Sequence, residues 1–477
     1  MQKPFIQLFR TPNCNYFLEV NKNEFVQIGD ESFRYLDKLL ARGDDSEDSE
    51  PMPQELVELQ TAGYLATKSV VETVKHPYSD FIEVFLERKM AGITLQLTQD
   101  CNLRCSYCAY TERENTRQRQ HSKEKMSWKT AKKAIDFLWE RSIDSPSINI
   151  GFYGGEPLLE FSLLQQIAQY CLERFSGKEL SFHMTTNGTL LNDEMLVSLE
   201  KYGVIVSISL DGPKEINDLN RVFEDGSGTF DVVMKKVQRA KEIAPKLAER
   251  MKISMVVDPE NDFDCINSIC LEGADLDKLM ITATIVDYDY EDRTVSFSNE
   301  YSSKFEYQSF LSILSYYNRF PHAKLSPLTE NYVERLRNDC FRFEGAPGLF
   351  AVDVPSGPCV PGHFRLFIDV YGRFFPCERV NENALSMVMG TLDEGFNFNS
   401  ANEILNIGSL TEEECKNCWC FRTCFLCVKQ AEDGTSKLSP TRKLSRCGDV
   451  RGNAYNMLQH HLLFLEIPQF YTEHIYL

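Results

Sequence analysis

Between Ile93 and Val286 the chain alternates short apolar, β-branched runs with amphipathic stretches. Six runs predict strands: Ile93–Thr98, Ile148–Tyr153, Leu180–Thr186, Val204–Leu210, Lys252–Val257 and Leu279–Val286. Trp128–Ser142, Leu159–Phe175 and Phe230–Arg250 carry helical apolar spacing between several of them. Such β/α units require a parallel sheet with helices outside, either doubly wound or curled into a partial barrel. In both arrangements ligands collect at the carboxyl ends of the strands.

The flanks read differently. With 477 residues the chain exceeds one ordinary core, and two or three domains are expected. Strands are predicted at Phe5–Phe9, Tyr16–Val20 and Phe25–Ile28, and helices at Ser32–Leu40 and Gln54–Ala62. Residues 1–90 thus form a small winged-helix module or a simple cap on the next domain, with Gly43–Pro53 an acidic, solvated loop. Residues 91–286 hold the β/α units, and 287–345 an aromatic-rich connector, helical around Phe305–Phe320. Residues 346–450 are cysteine-dense with little periodicity, which suggests a unit held by metal rather than by its own core. Residues 451–477 bring a last helix, Arg451–Leu465, and a tail.

Composition narrows the partners. Fifty-one Lys and Arg against 70 Asp and Glu leave a net charge of −19, which disfavours nucleic acid. No run of about 18 apolar residues is present, so no membrane span is expected. Met1-Gln2-Lys3-Pro4-Phe5 lacks a secretory core, and the expected location is the cytoplasm. Sixteen cysteines in that compartment stay reduced. They cluster within Cys101–Cys108 and Cys415–Cys427, as metal-ligating thiolates do.

The first cluster, Cys101-Asn-Leu-Arg-Cys105-Ser-Tyr-Cys108, directly follows the first β/α strand. Three thiolates at this spacing can wrap one cubic iron–sulfur cluster and leave its fourth iron open; a zinc loop short of one ligand is the alternative. The next strand ends in Gly154-Gly155-Glu156-Pro157, where glycines admit a ligand close to the backbone and Glu156 can accept from an ammonium group. The third ends in Thr185-Thr186-Asn187-Gly188, the fourth in Ser209-Leu210-Asp211-Gly212-Pro213, with Arg221 beyond. Hydroxyls and a carboxylate suit a ribose, and an arginine suits a carboxylate. Arg113, Arg117, Arg119, Lys123 and Lys125 form a basic stretch, read as a solvated, mobile loop or a guide for an acidic peptide.

With these motifs the chain resembles the radical S-adenosylmethionine superfamily from Ile93 to about Val286. Its cysteine triplet matches Cys101, Cys105 and Cys108, with the aromatic at Tyr107. Its amine-binding glycine motif matches Gly154–Pro157, its ribose-contacting serine Ser209, and its carboxylate-binding arginine Arg221. Thr186, Asn187 and Asp211 join these as cofactor-binding candidates. The resemblance implies a partial (β/α)6 barrel of the TIM-like type, and S-adenosylmethionine cleaved by one electron to a 5′-deoxyadenosyl radical.

Cys359, Cys377, Cys415, Cys418, Cys424, Cys427 and Cys447 are similar in order to the SPASM domain of peptide-modifying radical enzymes, which carries two auxiliary clusters. By position Cys415, Cys418, Cys424 and Cys447 would hold the outer one, and Cys359, Cys377 and Cys427 the inner one. Cys340 would complete the inner site; otherwise one iron stays open to a substrate thiolate. Three [4Fe–4S] clusters are therefore implied, with a pair of zinc sites in this domain as the alternative. The spacing departs from the family's in two ways: only two residues separate Cys424 from Cys427, and an extra Cys420 can exchange roles with Cys424. Glu378, beside Cys377, matches the acidic base of sulfatase maturases, with a salt-bridge role as the alternative. Cys171 and Cys270 read as small core residues.

Behind such a domain, residues 1–90 resemble the peptide-recognition element of ribosomal-peptide maturases, whose third strand takes a leader peptide by strand addition. The whole implies a maturase of a cysteine-rich precursor peptide with a leader, forming thioether links of the sactipeptide or ranthipeptide type. It would draw electrons from a donor such as flavodoxin or ferredoxin. The alternatives are carbon–carbon crosslinking, oxidation to formylglycine, and a zinc-dependent binding module without turnover.

Overall fold

Period-two alternation organises the N-terminal strands. β1 (Ile6–Arg10), β2 (Asn15–Glu19) and β3 (Glu24–Ile28) form an antiparallel meander. Phe17 points to one face, where it packs with Leu8, Tyr35, Leu36 and Leu56 under helices Asp30–Ala41 and Gln54–Thr61. Tyr16 and Leu18 point to the other, against Phe343, Phe421, Met457 and Leu458 from distant segments. The unit is clamped on both faces, which explains why all of β2 is buried.

The computed structural model describes residues 2–42, 51–114, 116–272, 279–291, 293–355 and 358–466. Most of the acidic loop, the tail 467–477 and the side chains of Cys270 and Cys340 lie outside the described residues. Among the described residues no helix is long and apolar enough to cross a membrane.

After the two-residue strand β4 (Thr73–Val74) come six parallel strands. They are β5 (Gly92–Thr98), β6 (Ser147–Gly154), β7 (Glu179–Thr186), β8 (Ile205–Ser209), β9 (Lys252–Val257) and β10 (Met280–Ile285), in sequential spatial order. All fall within two residues of expectation. Helix Trp128–Arg141 begins where Ser127 accepts from the Thr130 amide, and buries Ala131, Ala134, Ile135 and Leu138 against the sheet. The helix expected over Phe230–Arg250 ends at Ile243 and resumes at Pro245, because Pro245 lacks an amide hydrogen and crowds the preceding turn.

The cysteine-dense segment departs most from expectation. β11 (Val352–Asp353) pairs with β4. β12 (Leu366–Ile368) then joins the edge of the main sheet, parallel to β5, and β13 (Phe374–Phe375) follows antiparallel. Leu366, Phe367, Ile368, Phe374 and Phe375 are fully buried in the same apolar cluster as the β/α strands. This segment therefore shares the main core, where the sequence suggested a unit held by metal alone.

Candidate active site

The carboxyl ends of β5 to β8 converge on one cleft of about 670 Å³. Cys101, Cys105 and Cys108 line it with Tyr107, Gly154, Gly155, Thr186, Asn187, Ser209 and Arg221. The two glycines have a specific backbone task. Gly154 sits at φ +143°, and a Cβ there would lie 2.2 Å from the Thr98 carbonyl oxygen. One on Gly155 would lie 2.1 Å from that of Asp100. The amides of Gly155 and Glu156 donate to those same carbonyls at 3.0 and 2.9 Å. The glycines thus let the end of β6 press against the loop that begins the cysteine triplet.

Two buried carboxylates brace the cleft from behind. Glu156 is 0% exposed and accepts from Thr186 Oγ1 at 2.7 Å, Asn187 N at 2.8 Å and Leu158 N at 3.0 Å. Burial pushes its carboxyl up, and those hydrogen bonds pull it back. Asp211, also 0% exposed, accepts from Tyr107 OH at 2.6 Å and Val256 N at 3.0 Å, and faces Arg221 Nε at 3.0 Å. All four of their oxygens already accept hydrogen bonds from the scaffold, and neither residue lines the cleft. Both belong to the scaffold, and Pro157 is likewise buried behind the cleft at the start of a 3₁₀ turn. Nothing local in the sequence marks this, since the partners come from other strands.

The segment after Arg221 holds the cysteine loop in turn. Arg104 N donates to Val222 O at 2.8 Å and Ser106 N to Asn220 O at 2.9 Å. Burial pushes the Cys101 thiol up to about 12 and the Cys105 thiol up to about 11. Thiolates in such a place need a cation as partner, which a bound metal cluster supplies.

The basic stretch is solvated only in part: Lys123 and Lys125 stay exposed, while Arg119 turns inward. Arg119 is buried, with its Nε 2.7 Å from Glu382, and lies 4.0 Å over the Tyr110 ring. Gln96 of β5 donates to the same Glu382 at 2.7 Å, and Gln118 accepts from its amide at 3.0 Å. Arg113 pairs with Glu291, Lys123 with Asp100 and Lys125 with Glu160. The stretch ties the cysteine loop to the C-terminal segment.

A second cavity, about 810 Å³, runs inside the curled sheet and shares Tyr153 and Thr185 with the cleft. Thr94, Asn149, His183 and Ser207 line it from the strands, Arg365 and Glu378 from the C-terminal segment. Glu378 forms an ion pair with Arg365 through one oxygen; the other, Oε2, is buried without a hydrogen bond among the described residues.

The remaining cysteines form two groups. Cys377 and Cys427 lie close enough for the charge of one to raise the thiol of the other, and Cys359 acts likewise on Cys427. Cys415, Cys418, Cys424 and Cys447 line one cavity together with Cys420, whose sulfur is 3.5 Å from that of Cys418. That contact and Arg451 hold the Cys418 thiol down at about 6. Among the described residues, no three His, Cys, Asp or Glu side chains close on a point that one metal ion would fill. The thiols of Cys415, Cys418, Cys420, Cys424 and Cys447 line a cavity of their own, apart from the cleft of the first triplet.

Residues 95–269, which carry this fold and cleft, match the family model described as the Radical SAM superfamily. The chain is 38% identical over 145 residues to an uncharacterized protein of Methanocaldococcus jannaschii, covering 30% of this chain and 46% of that protein. It is 25% identical over 348 residues to a cysteine-type anaerobic sulfatase-maturating enzyme of Clostridium perfringens, covering 68% of this chain and 84% of the relative. Among solved structures, native anSMEcpe with bound AdoMet superposes with a TM-score of 0.55 at 20% identity, covering 79% of this chain and all of the other. The likeness of fold therefore extends well beyond the radical SAM domain.

The residues present fit the cofactors of this family. The triplet, three thiols on the wall of one cleft, suits a [4Fe–4S] cluster, and the same cleft offers the Ser209 hydroxyl and the Arg221 guanidinium to S-adenosylmethionine.

Proposed function

We propose that this chain is a radical SAM maturase of a cysteine-rich precursor peptide, closing thioether links between cysteine sulfur and carbon. The observation that carries this reading is the direct continuity of three features: the triplet cleft, the barrel cavity, and Glu378, the residue after Cys377, in that cavity's wall. Cys101, Cys105 and Cys108 would hold the first cluster. Bound there, S-adenosylmethionine supplies a 5′-deoxyadenosyl radical able to take hydrogen from a substrate carbon. Arg221 and Ser209 would orient that cofactor from the far side of the cleft, and Tyr153 and Thr185 form the wall between it and the peptide. Cys359, Cys377 and Cys427, with Cys340 or a substrate thiolate as fourth ligand, would hold the inner cluster of a SPASM domain. Cys415, Cys418, Cys424 and Cys447 would hold the outer one.

The leader would add to β3 as a strand. Among the described residues no further strand pairs with its outer edge, and four of its five residues are half-buried or exposed. A flavodoxin- or ferredoxin-like donor would supply the electron. A second reading, oxidation of a peptide cysteine or serine to formylglycine, is favoured by Glu378: its unpartnered Oε2 in the cavity wall is placed as a proton acceptor.

Metal analysis of protein reconstituted without oxygen tests the framework. The expected result is about twelve irons with matching sulfide per chain, four for each cluster. About four irons with zinc in the remaining sites would remove the auxiliary clusters from this reading.

A further inference from the structure

A lysine withdrawn from water requires an anion, and Lys443 has no carboxylate beside it among the described residues. It lies in the helix Pro440–Ser445, 2% exposed. Its Nζ donates to Thr411 Oγ1 at 2.7 Å, to Gly408 O at 3.3 Å and to Cys415 Sγ at 3.3 Å. Two of these partners are neutral and satisfy hydrogens but not charge. Only the sulfur of Cys415 can carry the compensating negative charge. Across the same cavity Arg451 stands beside Cys418, and the Cys420 thiol lies within donor distance of the Cys418 sulfur.

The cations near the inner group are already engaged by carboxylates. Glu378, next to Cys377, pairs with Arg365, and Lys429, two residues past Cys427, pairs with Asp287 and Asp289. Reduction by one electron adds one negative charge to a cluster. A buried ammonium and N–H···S hydrogen bonds favour the reduced form, and a neighbouring carboxylate opposes it.

We propose that Lys443 is a positioning residue that sets the potential of the outer cluster above that of the inner one, so that an electron entering the C-terminal segment comes to rest at the outer site. This rests on the auxiliary-cluster reading above, and metal content separates the two. Zinc in the five-cysteine cavity would overturn both, and is seen before any potential is measured.

The test is an anaerobic redox titration of wild type, K443M, K443Q and K443R, following each cluster by electron paramagnetic resonance. In wild type the outer cluster should reduce first. K443M and K443Q should shift its reduction equilibrium at least tenfold toward the oxidised form, 59 mV for one electron. K443R should stay near wild type, with the other two clusters unmoved in every variant. Should the neutral variants lose the outer irons while K443R keeps them, the counter-charge is supported through assembly. Full iron content with an unchanged outer potential in both neutral variants overturns the proposal, as does an inner cluster that reduces first in wild type.

Discussion

Replacing Cys101, Cys105 and Cys108 together by Ala abolishes formation of 5′-deoxyadenosine from S-adenosylmethionine and leaves the C-terminal irons in place. The expected effect is total because the three thiols are the only cysteines lining the cleft at the ends of β5 to β8 among the described residues. Their loss should remove about four of the twelve irons expected. The other proposed ligands line a separate cavity or lie around Cys377, held by β12, β13 and the final helix Cys447–Leu465. The check is product analysis by chromatography beside iron content. Continued release of 5′-deoxyadenosine from the triple variant would contradict the assignment of the first cluster.

Asp211→Ala has the largest expected effect on the domain's integrity. It strips the partner from Arg221, itself 8% exposed, and leaves Tyr107 OH and Val256 N without their acceptor. Removing one member of a buried pair costs about 3–5 kcal/mol, because an uncompensated charge stays behind. The loosened parts are the cysteine loop, through Tyr107, and Arg221, proposed to orient the cofactor, so the first cluster should be lost with stability. A lowered urea midpoint together with depleted iron at the first site is the expected pair of results. Asp193→Ala, which breaks an exposed ion pair with Arg239 on a helix surface, should leave both where they were. Equal behaviour of the two variants would contradict the scaffold role given to Asp211.

The sequence showed what is local. β-Branched runs mark strands, so β5 to β10 were placed to within two residues. The strand-end motifs also revealed themselves, since glycine, hydroxyl and cysteine side chains cluster at successive carboxyl ends. What it concealed has partners far along the chain. The three residues of β12 are too few to display a period, and only pairing with β5 makes them a strand. Arg119 reads as one charge in a basic run, yet Glu382, 263 positions on, draws it into the interior. Glu156 and Asp211 are conspicuous at motif ends, but which way their oxygens point is decided by strands β7 and β9. Lys443 carried no signal by spacing; only its contact with Cys415 shows it. Local errors remain: the connector helix runs over Asn299–Tyr316 and the last one starts at Cys447, both earlier than expected. The helix drawn through Pro245 let apolar periodicity outweigh a residue that cannot donate a backbone hydrogen bond.

The central claim is thioether formation on a peptide, and mass spectrometry tests it directly. A cysteine-rich peptide encoded beside the gene for this chain would be incubated anaerobically with reconstituted protein, S-adenosylmethionine and a reductant, then treated with a thiol alkylator. The account predicts loss of two hydrogens for each ring, with one thiol becoming unalkylatable for each. Loss of hydrogens with every thiol still alkylatable would contradict it, and would point to a carbon–carbon link or simple oxidation.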